Sequence, residues 1–93
     1  MRKIELTGQF KRDYKREAKG QHRAVLDANL KPVLQHLADD HPLEARYRDH
    51  ALTGEWNDYR DCHIKPDLVL IYQKPDTETL RLVRLGSHSE LGL

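Results

Sequence analysis

The sequence predicts an α+β domain, with two N-terminal helices packed on a small antiparallel β-sheet. Three observations carry this. Between residues 8 and 38 the apolar residues recur at helical spacing, beginning with Phe10, Tyr14 and Ala18. From residue 45 onward the pattern shortens to strands, including the apolar run Leu68-Val69-Leu70-Ile71-Tyr72. Turn signals then divide this half at Thr53-Gly54-Glu55, Lys65-Pro66-Asp67 and Lys74-Pro75-Asp76-Thr77.

Each element has its own local reason. Residues 2–7 alternate polar and apolar, with Ile4 and Leu6 on one side, and read as a short strand. Thr7 or Gly8 opens a helix over 8–19, and Gly20 suits its left-handed exit. A second helix covers 22–38, with Val25, Leu26, Leu30, Val33, Leu34 and Leu37 inward. Pro32 lies inside it and predicts a kink or a break. Asp39-Asp40-His41-Pro42 ends the helical region. Strands follow over 46–51, 56–64, 68–72 and 79–85.

The 93 residues make one small domain, 1–93, with a modest core. That leaves little apolar material for an internal cofactor cavity, so an active site is expected in an open groove. The net charge of +1 hides an asymmetry. Residues 1–31 hold nine Lys/Arg against four Asp/Glu, and residues 32–93 hold seven against eleven. A basic first third attracts a phosphate backbone or an acidic partner, or is simply a solvated helix face. Cys62 is the only cysteine, which excludes an intrachain disulfide and suits a reducing compartment. No apolar run is long enough for a signal peptide or a membrane span, so a soluble, cytoplasmic protein is expected.

The chemistry-bearing residues fall at strand ends and turns. His50 precedes His63 with one turn between them, and Asp67 follows His63 across the Pro66 turn. Arg84 ends the last strand, and His88 comes just after Gly86-Ser87. Histidine gives or takes a proton near neutral pH, and arginine's planar fork fits phosphate. If these groups converge, they can cut RNA through its own 2′-OH without a metal. The act needs a base, an acid and a cation for the phosphorane.

Each residue also has a plainer reading. Asp67 is a good turn former, Arg84 a sheet-edge charge, and Trp56 and Tyr59 packing residues. His22, His36 and His41 read as incidental. Cys62 reads as a small buried hydrophobe. A zinc site from His50, His63, Asp67 and His88 lacks any close ligand pair.

The chain resembles the YafQ-type branch of the RelE/ParE toxin superfamily. Three stretches carry the resemblance most specifically. They are Asp49-His50-Ala51-Leu52-x-Gly54-x-Trp56, Tyr59 to Asp67, and Arg84-Leu85-Gly86-Ser87-His88-Ser89-Glu90-Leu91. The Gly-Gln-Phe-Lys-Arg-Asp start at residues 8–13 extends it across almost the whole chain.

The resemblance implies a RelE-like fold and an mRNA endoribonuclease that needs no metal or other cofactor. It implies three partners: a cognate antitoxin, the ribosomal A site and mRNA. It implies an acid–base set of His50, His63, Asp67 and His88, with Arg84 stabilising the phosphate. His88 is then the general acid and His50 or His63 the base, with Asp67 supporting His63. Lys11, Arg12, Lys15, Arg16, Arg60 and Lys65 become the candidate RNA contacts. Leu68 and Leu91 depart from aromatic residues that related toxins carry there. A ParE-like inhibitor of a protein target such as gyrase, or a plain RNA-binding module, remains as an alternative.

Overall fold

The computed structural model describes residues 1–93. The elements run β1 (Lys3–Leu6), α1 (Gly8–Glu17), α2 (Leu26–Ala38), β2 (His50–Ala51), β3 (Arg60–Lys65), β4 (Leu68–Gln73), β5 (Thr79–Gly86) and α3 (His88–Leu91). Single 3-10 turns occupy Ala45–Tyr47 and Gly54–Trp56. No helix is long and apolar enough to cross a membrane.

Thr7 caps α1, its Oγ1 accepting the Phe10 amide at 3.1 Å. The helix ends at Glu17, so Phe10 is buried and Tyr14 half-buried, while Ala18 lies outside and exposed. α2 starts later than expected because residues 19–25 are turns, and Val25 is exposed. Pro32 does not break α2, which is one continuous helix. Ala28 and Pro32 both face solvent. Water can therefore serve the carbonyl that the proline leaves without a donor.

The sheet order is β1-β5-β4-β3-β2. β1 pairs parallel with β5, and the other pairs are antiparallel. The sheet is thus mixed rather than wholly antiparallel. The expected strand over 46–51 shrinks to His50–Ala51, and the one over 56–64 begins only at Arg60. The 3-10 turns take up the remainder. α3 was not expected. Ser87 and Glu90 close it with a reciprocal capping box.

Two clusters share the sheet. On one face Cys62, Leu68, Leu70, Tyr72, Leu82 and Leu85 pack against Phe10 of α1 and Leu30, Val33 and Leu37 of α2. On the other, Val69 and Ile71 meet Leu91, with Trp56, Tyr59 and Val83 alongside. Register shifts lie between His63 and Lys65 and between Ile71 and Tyr72. The second leaves Val83 as an extra residue, so Leu82 and Leu85 share the helix face despite their odd spacing.

A surface clamp joins the chain's distant parts. The Asp40 carboxylate takes Lys74 Nζ at 2.6 Å and Arg2 Nε at 2.8 Å. Those two hydrogen bonds hold its pKa down to about 2.

Candidate active site

Three histidines meet on the face of the sheet opposite α1 and α2. His50 pairs with Asp61 across β2 and β3. His63 lies two residues beyond Asp61, so strand alternation puts both on one face. Gly86-Ser87 turns the chain from β5 into α3, which brings His88 to His63. Their rings meet edge to face, with centroids 5.0 Å apart. His50, Asp61, His63 and His88 line one open groove, together with Trp56 and Glu55.

Asp61 was missed in the sequence. It is only 3% exposed. Its Oδ1 lies 3.1 Å from His50 Nδ1, close enough for charge attraction. That Nδ1 instead donates to the Arg48 carbonyl at 2.7 Å. Asp61 Oδ1 is therefore the one buried side-chain polar atom without a hydrogen bond. Burial pushes the Asp61 carboxyl above its usual range, against the charges of His50, His63 and His88. His63 is driven the other way. Burial, then the charges of His88, Arg48 and His50, hold it below the usual imidazole value, with only Asp61 opposing.

Asp67 stands at the β3–β4 turn, beyond the end of His63's strand. Its Oδ1 is 3.4 Å from both the backbone N and Nδ1 of His88. It therefore accompanies His88, in place of the His63 partnership expected from the sequence. One residue earlier in the chain than His50, Asp49 accepts the buried Tyr72 hydroxyl at 2.5 Å, which anchors the approach to β2.

Arg84 lines neither groove that His63 and His88 share. Its Nε donates to Asp13 Oδ2 at 2.7 Å and its Nη2 to Asp13 Oδ1 at 3.4 Å. Asp13, 1% exposed, also accepts the Leu85 amide at 3.0 Å and Arg16 Nη1 at 3.0 Å. Burial alone would raise the Asp13 carboxyl, but these donors and charges bring it below its ordinary value. The side-on grip leaves Arg84 Nη1 without a protein partner.

His63 and His88 also border a second groove of about 700 Å³ that passes round the β3–β4 turn. Arg46, Tyr47, Arg48, Lys65 and Asn29 line it, and no carboxylate does. Arg48 adopts a left-handed backbone, φ 49° and ψ 44°.

Of the other expected RNA contacts, only Lys65 is at this groove. Arg60 pairs with Asp49 at 3.3 Å. Lys11 and Lys15 rim an apolar groove between α1 and α2, and Arg12 donates to Gln9 at 2.7 Å. Arg16 is drawn inward, to Asp13, Glu17 and Glu90.

The chain matches, over residues 2–92, the family described as the bacterial toxin of type II toxin–antitoxin system, YafQ. The mRNA interferase toxin YafQ of Escherichia coli K12 is 41% identical over 92 residues, 97% of this chain and 95% of that protein. The crystal structure of YafQ from E. coli BL21(DE3) superposes with a TM-score of 0.83 at 38% identity, covering 98% of both chains. A chain of the E. coli DinJ–YafQ complex gives 0.81 at 39% identity, again over 98% of both. Fold and sequence likeness together are those of the toxin half of a bacterial type II toxin–antitoxin pair. Within that class, the chain belongs to the YafQ family.

Proposed function

We propose that the protein cuts mRNA at the histidine cluster by acid–base chemistry that uses the RNA 2′-OH. The observation that carries this is the convergence of His50, His63 and His88 around the buried Asp61, in a groove open to solvent. The activity named for the related mRNA interferases and the spacing of the histidines both support this reading.

His63 is the base. Its depressed pKa keeps the ring neutral and able to accept the 2′-OH proton at pH 7. The freed O2′ attacks phosphorus, and the bond to O5′ breaks. His88, oriented through Nδ1 by Asp67, gives its proton to O5′. The products are a 2′,3′-cyclic phosphate and a free 5′-hydroxyl. His50, its Nδ1 proton tied to the Arg48 carbonyl, keeps Nε2 free for the substrate and holds the third position beside Asp61. Arg84 lines neither histidine groove and is held by Asp13 through Nε and Nη2, so the expected role at the phosphorane falls to its free Nη1.

The reading extends to partners. The mRNA is cut in the ribosomal A site, in the cytoplasm, and the lysines of α1 contact ribosomal RNA. A cognate antitoxin holds the toxin inactive. An acidic segment that folds on binding suits the apolar groove between α1 and α2, with Lys11, Lys15 and Lys31 on its rim. The ParE-like alternative has no use for the histidine cluster, and the family's named activity speaks against it.

The test is a cell-free translation reaction with chelator-stripped protein. Cuts in translated mRNA that carry cyclic-phosphate ends and vanish in His88→Ala are expected. Intact mRNA with the parent protein would overturn the reading, as would cuts that survive in His50→Ala, His63→Ala and His88→Ala alike.

A further inference from the structure

We propose that the groove bordered by Tyr47, Arg48 and Lys65 is the subsite for the nucleotide next to the cut phosphate. Arg48 and Lys65 grip a flanking phosphate, and the Arg46–Tyr47 pair carries the base. This deepens the nuclease reading above and rests on it.

The two grooves that meet at His63 and His88 differ in charge. The one holding His50 also carries the carboxylates of Glu55 and Asp61, which repel a phosphate. The other is lined by Arg46, Arg48 and Lys65 and by no carboxylate, with Glu44 on Arg46 at 3.6 Å and Asp67 on His88 at 3.4 Å outside its lining. The side chains of Arg48 and Lys65 have no partner within the protein, and both stand beside the histidines. A single strand leaving the cut site therefore meets two unpaired cations in one direction and two lining carboxylates in the other.

The base needs a flat surface. Leu68 and Leu91 are both buried and offer none. Trp56 and Tyr59 lean edge to face on each other, centroids 5.3 Å apart, over the Val69 and Ile71 cluster. Tyr47 is different. The Arg46 guanidinium lies 4.8 Å from its ring centroid and donates to its hydroxyl at 2.9 Å. An arginine stacked on a tyrosine is a flat cationic platform, the kind on which unstacked RNA bases settle. At the far side of the groove, Asn29 donates to the Val25 carbonyl at 2.7 Å, which leaves its side-chain oxygen as an acceptor. That oxygen favours a base with an exocyclic amine. Arg48, in a left-handed conformation that non-glycine residues rarely keep, lines the groove with Tyr47 and both histidines.

The experiment is an NMR titration of the labelled protein with a trinucleotide carrying 2′-O-methyl groups throughout, which binds without being cut. Shifts at the Tyr47, Arg48 and Lys65 amides and at the Asn29 side chain are expected. Tyr47→Leu should weaken binding roughly tenfold. Arg48→Gln and Lys65→Gln, both surface changes, should each lower the salt slope of log affinity by about 0.7. Circular dichroism melts show whether each variant is folded. No shift in the groove at millimolar trinucleotide, or shifts confined to the α1 lysines, would overturn the subsite. So would unchanged affinity and slope in all three folded variants. The cutting assay stands apart. Groove binding with no cutting of translated mRNA by the parent protein would uphold a nucleotide site in the groove and overturn the nuclease.

Discussion

Asp61 is a carboxylate placed where folding alone would not put one. A buried polar atom without a hydrogen bond destabilises a fold by about 1–3 kcal/mol, and Asp61 Oδ1 is such an atom. The sign of its pH effect follows from burial. Its folded pKa lies above the unfolded value, so the native state loses stability as pH rises through that window. Asp61→Asn should therefore melt higher than the parent at pH 7, by about 1 kcal/mol, with the gap closing toward pH 4. The same change removes the anion that favours charged imidazoles nearby. The bell-shaped profile of cutting rate against pH should then move to lower pH. Thermal melts at the two pH values and a rate profile check both halves. An unmoved profile would reduce Asp61 to a packing residue.

At the scale of elements, the corner from β5 into α3 decides where His88 stands. Arg16 of α1 is seated against it, donating to the Leu85 carbonyl at 2.8 Å and pairing with Glu90 at 3.1 Å. A Cβ on Gly86 would come within 2.8 Å of Arg16 Nη2 and 3.2 Å of Glu90 Oε1. Gly86→Ala should thus displace Arg16, lower stability by about 1 kcal/mol, and reduce cutting by turning His88 away from His63. Melting and single-turnover rates measure the two effects. Normal activity in a folded Gly86→Ala protein would mean that the brace does not set His88.

Much of this arrangement could be read in the sequence. β3, β4 and β5 followed from apolar alternation and their turns, and α1 from its capped amphipathic run. His50, His63, Asp67 and His88 were singled out by chemistry and resemblance, and the structure draws them into one neighbourhood. The parallel pairing of β1 with β5 was not legible, because Lys3 meets Thr79 across most of the chain. α3 has a visible Ser-x-x-Glu signature, but one turn of helix carries no periodicity. Asp61 could have been found, since it is two residues from His63 and shares its strand face. Arg46, Arg48 and Tyr47 gave no local signal. A 3-10 turn took the place of the expected strand and aimed them at the groove.

The whole molecule is a layered object with different tasks on its two sides. Helices and their lysines cover one face of the sheet, and His50, His63 and His88 occupy the other, so under the proposed reading an antitoxin on the helices and a strand of mRNA at the histidines need not compete for the same atoms. What joins the two sides is the last strand. β5 lies between β1 and β4, carries Arg84 and delivers His88. A fragment of residues 1–78 lacks it, and should show helix but little cooperative melting by circular dichroism. A sharp melt in that fragment would mean that the sheet closes without β5. The position of β5 has a consequence for how the protein is made. A ribosome reads from the first residue onward, so the opening strand waits through some seventy additions before its neighbour exists. While it is being synthesised the poison has no assembled blade. It becomes dangerous to translation only after translation has nearly finished with it.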